Sequence, residues 1–182
     1  MSNIDRFYSI TGGPGSGKST LIAALSGAGF QTMPEAGRAI IRDQVAIGGN
    51  ALPWGDRSAF AELMLSWEMR SWREAQALSG PVIFDRGVPD TAGYLSLCGL
   101  PVPRHFLKAA QDFRYNRRVF IAPPWAEIFI QDAERKQTFA EAEATYCAVV
   151  ETYVGLGYEL VELPLVPVDE RVCFVRQIVD QP

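Results

Sequence analysis

Five short apolar runs punctuate the chain: FYSIT (7–11), FQTM (30–33), PVIFD (81–85), RVFIA (118–122) and YELVELP (158–164). They are too short to be amphipathic helices and are rich in β-branched and aromatic residues, so they predict strands. Between them the apolar residues recur at helical spacing. STLIAALSGAG (19–29) reads as one helix. Residues 36–80 read as a helix, a turn containing Gly and Pro, and a second helix that starts near Asp56, a suitable N-cap. Residues 89–116 read as helix broken at GLPVP by two prolines, the fourth strand leads into residues 123–158, and PVDERVCFVRQIVD (167–180) is a closing helix. Strands alternating with helices predict an α/β fold in three layers, a parallel sheet with crossover helices on both faces.

Composition narrows the class without changing it. A chain of 182 residues, 48% hydrophobic, can bury one substantial core, and no Pro/Ser/Gly-rich linker divides it, so a single domain over 1–182 is expected. The net charge of −4 argues against general attraction to nucleic acid or to anionic membranes. Fourteen of the seventeen cations are Arg, which suits phosphate recognition but equally a solvated surface. Cys98, Cys147 and Cys173 are odd in number and lack metal-ligand spacing, so they are expected to be reduced, packed thiols in a cytoplasmic protein. No charged-then-apolar leader and no run of about twenty apolar residues is present, so neither secretion nor a membrane span is expected.

The chemistry begins where the first strand ends. GGPGSGKST places four glycines in six positions, and Gly12, Gly17, Lys18 and Ser19 satisfy G-x-x-x-x-G-K-[ST] between a strand and a helix. A turn whose N–H groups converge on one concavity binds anions, and the positive end of the following helix adds to it. In this reading Gly12, Gly13, Pro14, Gly15, Ser16, Gly17, Lys18, Ser19 and Thr20 cradle a nucleoside triphosphate. Lys18 bridges the β- and γ-phosphates and the Ser19 hydroxyl ligates Mg²⁺. An ordinary Gly-rich turn would not need Lys-Ser at that position.

Three further segments can carry chemistry. Asp85 ends the third strand, where a doubly wound sheet opens its ligand crevice, and is the candidate Mg²⁺ carboxylate. Arg86 beside it can neutralise charge on a transferring phosphoryl group, or form a structural ion pair. Glu35, after the second strand and three residues before Arg38, can accept a proton from an attacking hydroxyl or orient it. Alternatively it complements a helix dipole. QDAERKQTF packs Arg135 and Lys136 with Asp132 and Glu134, either as a lid that brings Arg135 to the transition-state charge or as a solvated face. Phe60, Trp67 and Trp72 with Arg70 and Arg73 offer an acceptor pocket, or simply core. Asp90 can bind acceptor hydroxyls or cap a helix, and His105 is expected at the surface.

GGPGSGKST, PEAGR, FDRGVPDTAGY, RVFIAPPW and DAERKQTF together resemble the P-loop kinase-like ATPases. The likeness is greatest to the AAA-type ATPases related to the kinase domain of bifunctional nicotinamide riboside kinases. The resemblance implies a five-stranded parallel sheet in the order 2-3-1-4-5, a helical insert on the acceptor side and a short lid. In the similar deoxynucleoside and thymidylate kinases an acid-Arg pair ends the third strand, as Asp85-Arg86 does here, and a Glu after the second strand, here Glu35, serves the deoxynucleoside kinases as base. The expectation is transfer of the γ-phosphoryl of Mg-ATP to a hydroxyl of a small, nucleoside-like molecule, with Lys18, Glu35, Asp85, Arg86 and Arg135 catalytic. The rival is a regulatory switch that hydrolyses ATP or GTP slowly and acts through a protein partner. Residues 36–79 carry no recognisable acceptor motif, and the sequence points to no oligomeric state.

Overall fold

Side chains alternate along each strand of the sheet, and both faces are apolar, so both must be covered. In the computed structural model, which describes residues 3–129 and 138–181, five strands form one parallel sheet in the order β2-β3-β1-β4-β5. They are β1 (Phe7–Gly12), β2 (Gln31–Met33), β3 (Val82–Asp85), β4 (Arg118–Ala122) and β5 (Glu159–Glu162). Ile10 of β1 is in register with Asp85 of β3 and with Phe120 of β4, so β1 sits centrally and its end meets the ends of both neighbours.

The alternation sorts the core into two layers. Tyr8, Ile10, Ile83, Phe120 and Ala122 face one side, covered by α1 (Lys18–Gly27) and α7 (Val168–Val179) through Leu21, Leu25, Val175 and Val179. Phe7, Val82, Phe84, Val119 and Ile121 face the other. That side is covered by α3 (Arg57–Ala75), α4 (Val88–Leu97), α5 (Arg104–Asp112) and α6 (Phe139–Gly155), with Phe84 against Phe7 and Tyr115 in edge-to-face contacts. α2 (Ala36–Ile47) packs on α3 in a small separate cluster of Ala36, Ile40 and Phe60. α2 and α3 are the helical insert between β2 and β3.

Most expected boundaries hold. Asp56 caps α3, its side chain accepting the Ala59 N–H at 2.9 Å, and α2 ends at Gly48 in the left-handed region. The second strand starts one residue late: the Phe30 N–H donates to the Leu25 carbonyl and helps close α1, which removes it from the sheet ladder. The cysteines are free, as expected, but not packed: Cys147 and Cys173 are exposed and Cys98 is half-buried. Among the described residues no helix is long and apolar enough to cross a membrane.

The fold places a strict demand on the start of the phosphate loop. Gly12 closes β1 at φ 133°, and a Cβ there would run into the carbonyl oxygen of Ala122 on β4. Gly12→Ala therefore meets both a backbone conformation that side chains rarely adopt and a clash with an immobile neighbour. It should cost about 2 kcal/mol or more, read as a lower urea midpoint at unchanged slope.

Candidate functional site

The loop after β1 turns into α1 at Gly17, whose left-handed φ of 76° lets the chain enter the helix without a side-chain cap. That leaves the first N–H groups of α1 unclaimed by any capping side chain. Lys18 folds back over the loop: its ammonium donates to the Gly13 carbonyl and, at 3.2 Å, to Ser16 Oγ, while Ser16 Oγ donates to the same carbonyl at 2.8 Å. Burial and the neighbouring Arg86 cation pull the Lys18 pKa down to about 7, against the opposing pull of Asp85, Glu35 and Asp90. Such a lysine gains most from an arriving polyanion.

Arg86 is the other pole. It is the one described non-glycine residue with a positive φ, 73°, a strain of about 1–3 kcal/mol that its surroundings must hold. Its N–H donates to Ile10 O at 2.9 Å, fixing the turn against β1. Its guanidinium donates to Glu35 Oε1 at 3.0 Å, Gly12 O at 3.1 Å and Asp90 Oδ1 at 3.2 Å. Burial would lower the Arg86 pKa, yet Glu35, Asp90 and Asp85 together raise it, so the group is a permanent cation. Glu35 is the N-cap residue of α2, but its carboxylate caps nothing; it pairs instead with Arg86 and, at 3.6 Å, with Arg38. Burial alone would raise the Glu35 pKa, and Arg86 and Lys18 overcome it, leaving the carboxyl below its usual range.

Asp85 is buried, and its Oδ1 has no hydrogen-bond partner. Burial, then Glu35, raises its pKa to about 6, with Arg86 and Lys18 opposing. A buried, unspent carboxylate oxygen close enough to feel Lys18, together with the exposed hydroxyl of Ser19 on the cavity wall, is a hard-oxygen donor pair that fits Mg²⁺. Among the described residues no three His, Cys, Asp or Glu side chains cluster to hold a metal by themselves. A cation held here would take its remaining ligands from an oxygen-rich substrate and water.

These groups border a cavity of about 240 Å³. Pro14, Gly15, Gly17, Lys18 and Ser19 form one wall, and Glu35, Arg86 and residues of α2, α3, α4 and α6 form the rest. Gly12, Gly13, Ser16 and Asp85 are buried behind the wall, and Thr20 is exposed on α1 away from it. Asp90 is satisfied by four donors: Thr11 Oγ1 and Arg86 on Oδ1, the Gly87 N–H at 3.0 Å and Tyr153 Oη at 2.7 Å on Oδ2. It has no capacity left for acceptor hydroxyls and works as the structural cap of α4. His105 is exposed, paired with Glu62 at 2.8 Å, as expected. Arg135, with Asp132, Glu134 and Lys136, lies outside the described residues.

Of the two readings of the aromatic and cationic residues on α3, the structure shows packing and not a pocket. Trp72 packs edge-on against Phe7 and Phe113 in the core, and Arg73 lies over Phe113. Arg70 is exposed with Glu74, while Phe60 and Trp67 cluster with α2. None of the five lines the cavity. Two residues that do matter were not singled out from the sequence. Glu68 is buried on α3 and lines the cavity, the lone carboxyl among the buried positions Phe60, Ala61, Leu65, Ser71 and Ala75. A charge on an apolar helical stripe was the available signal. Arg171 of α7 is 3% exposed and braces the loop from behind, donating to Ser16 O at 3.3 Å. It faces the ring of Trp125 at 5.7 Å, and its Nε and Nη2 have no partner.

Comparisons with known proteins agree with this fold. The sequence model of a family described as an AAA domain matches residues 7–171, and the chain belongs to that family. No curated protein matches the chain in sequence. Among solved structures, deoxyadenosine kinase from M. mycoides with bound dATP aligns over 96% of this chain and 100% of its own, at TM-score 0.63 and 15% identity. NadR protein in complex with NR aligns over 98% of this chain at TM-score 0.71 and 17% identity. The NadR complex with NAD and AMP-PNP gives TM-score 0.67 at 16% identity, and in both the chain spans 51% of NadR. At these identities the likeness is one of fold: the P-loop kinase fold, with the sheet order found here.

The two shifted groups make a prediction for the ligand-free chain. Asp85 titrates near 6 when folded and near 3.8 when unfolded, so between those values the folded chain binds more protons and stability falls as pH rises. Lys18 titrates near 7 folded and 10.5 unfolded, so between those values the unfolded chain binds more protons and stability rises with pH. Their joint contribution is lowest between about pH 6 and 7. Asp85→Asn isolates the first effect: its stability advantage over wild type should grow from about pH 4 to pH 6 and then level off, read from urea midpoints.

Proposed function

We propose that this AAA-domain family member is a phosphotransferase, one domain over residues 1–182, that moves the γ-phosphoryl of Mg-ATP to a hydroxyl of a small nucleoside-like molecule. The observation that carries the reading is that the Lys18 loop and the Arg86–Glu35 pair border one small cavity, with Arg86 donating to the Gly12 carbonyl at the mouth of the loop. A kinase needs this adjacency. The neighbours add support: one is a deoxyadenosine kinase with dATP, another is NadR with NR, and a third holds AMP-PNP.

Phosphoryl transfer asks the protein for position and charge rather than covalent chemistry. The loop N–H groups and Lys18 hold the β- and γ-phosphates, and the incoming polyanion restores the full charge of Lys18. Ser19 and Asp85 would hold Mg²⁺, which would supply further charge neutralisation. Arg86, always cationic and locked by four hydrogen bonds, faces charge that builds on the equatorial oxygens. Glu35 orients the acceptor hydroxyl and takes its proton late, because a carboxyl whose pKa is held down is a weak early base and a loose transition state needs little more. Arg135 remains the sequence-based candidate for closing over the triphosphate.

A nucleotide switch would present an apolar docking face on the insert. Of the large apolar side chains in residues 56–79 only Leu63 is exposed, which speaks against docking through α3, while Val45, Ile47 and Trp54 on and after α2 are exposed.

Lys18→Ala and Ser19→Ala should each weaken Mg-nucleotide binding by at least tenfold with the fold intact, checked by calorimetric titration beside circular dichroism. Wild-type affinity in both would remove the loop from the site. Glu35→Gln should keep nucleotide affinity near wild type while acceptor-dependent ADP release falls about 10²–10⁴-fold. Full activity in that variant would leave Glu35 a structural partner of Arg86.

A further inference from the structure

Arg171 is a charge that neither the core nor the cavity explains. The buried positions of α7 are Arg171, Val175 and Val179, an i, i+4, i+8 stripe whose first member should be apolar like the other two. Arg171 is 3% exposed and does not line the cavity. Among the described residues no carboxylate pairs with it: Asp169 and Glu170 beside it on α7 are exposed, and its Nε and Nη2 have no partner. Burial lowers its pKa with no acid to oppose that pull. A methionine would continue the stripe without a desolvated guanidinium.

What the guanidinium touches is the phosphate loop. Nη1 donates to the Ser16 carbonyl at 3.3 Å and stands 2.9 Å from where a Cβ on Gly17 would lie. The segment after β4 closes the space around it: the ring of Trp125 is 5.7 Å from the guanidinium carbon, and Ile128 Cδ1 is 3.0 Å from the same Cβ position. Arg171 is thus held against one peptide unit, the bond from Ser16 to Gly17. A trans peptide points its carbonyl and its N–H in opposite directions. A cation on the Ser16 oxygen therefore stands behind the peptide, and the Gly17 N–H is aimed away from the guanidinium. A hydrogen bond to the carbonyl polarises the amide and makes its N–H a stronger donor, most of all where water is shut out. The N–H groups of such a loop are what hold an anion.

We propose that Arg171 is a positioning residue of the nucleotide site: it fixes and polarises the Ser16–Gly17 peptide, so that the Gly17 N–H grips the phosphates bound in the loop. The role rests on reading this protein as a nucleotide-dependent phosphotransferase, and it assigns part of the phosphate affinity to the last helix of the chain. Arg171 touches no phosphate itself. Its charge destabilises the empty protein and is offset when a polyanion arrives in front of the loop.

The full chain is compared as wild type, Arg171→Met, Arg171→Gln and Arg171→Lys, by calorimetric titration with Mg-ATP and Mg-GTP and by thermal unfolding without nucleotide. Arg171→Met should weaken binding of the nucleotide that wild type prefers by about 5- to 30-fold, the scale of a charged hydrogen bond transmitted through one amide. Its Tm without nucleotide should equal wild type or exceed it by up to about 4 °C. Arg171→Gln keeps a donor but no charge and should lose affinity as Arg171→Met does. Arg171→Lys keeps the charge and should bind within about threefold of wild type. Affinity and stability moving in opposite directions is the signature, since a side chain that only packed the loop against α7 would lower both.

Wild-type affinity in Arg171→Met, beside nucleotide binding by wild type, would overturn the role of Arg171 and leave the phosphotransferase reading standing. A Tm below wild type in Arg171→Met, or its failure to fold, would overturn it as well, because the guanidinium would then be a requirement of the fold. Affinity that tracks size rather than charge, with Arg171→Gln like wild type or Arg171→Lys like Arg171→Met, also overturns it. If wild type binds neither nucleotide, the loop is not a nucleotide site, and the phosphotransferase reading falls together with the role of Arg171.

Discussion

The carboxylate of Asp90 is where strand, turn and helices are tied. Its two oxygens accept from Thr11 on β1, from Arg86 and the Gly87 N–H in the turn after β3, and from Tyr153 on α6. A buried anion is tolerable only when its lone pairs are filled and a cation is near, and here both conditions are met with donors from separate parts of the chain. The arrangement is directional. By accepting the Gly87 N–H it starts α4, and by pairing with Arg86 it helps hold that residue in its strained left-handed conformation. From there Arg86 reaches Glu35 at the head of α2 and the Gly12 carbonyl at the mouth of the phosphate loop. The position of Arg86, Glu35 and the mouth of the loop therefore depends on one aspartate whose lone pairs are all filled.

Around that anchor the charges are deliberately incomplete. Lys18 is pulled down toward neutrality, Asp85 and Glu68 are pushed toward their protonated forms, and Asp85 Oδ1, Tyr94 Oη and two nitrogens of Arg171 lack partners. Buried groups this far from satisfaction weaken the empty protein, since each keeps its desolvation penalty without a compensating bond. Their clustering at the carboxyl ends of the strands, while the apolar layers above and below are filled by Phe7, Phe84, Tyr8 and Phe120, separates stability from function in space.

What could be read from the sequence follows from this separation. The loop from Gly12 to Thr20 is contiguous, so the backbone demands, the anion cradle and the flanking strand and helix all lie within one stretch. Asp85 and Arg86 were legible for a related reason: they end an apolar run, and a doubly wound sheet fixes where such ends go. The acceptor side has no such address. Trp72 and Arg73 read equally as pocket or core because helical spacing records only that a face is buried, not against what, and the answer came from Phe7 and Phe113, which are far away in the chain. The same indeterminacy hid the role of Asp90, whose partners Thr11 and Tyr153 are 79 and 63 residues distant.

Glu68 shows where a sharper reading of the pattern would have helped. A single acid among Ala61, Leu65, Ser71 and Ala75 contradicts the helix's own periodicity, and a local rule broken without local compensation points to a demand from outside the helix. Gly12 broke a rule too, but its motif supplied the reason. The far wall of the cavity is built from α2, α3, α4 and α6, held together through Asp90 and the cluster around Phe60. Substitutions on the cavity faces of those helices that leave Asp90 in place can therefore reshape the cavity while β1, α1 and Arg171 keep the loop in position. A sheet and loop shared between distant relatives therefore fix the fold and leave the cavity's far wall, and with it any ligand read there, free to differ.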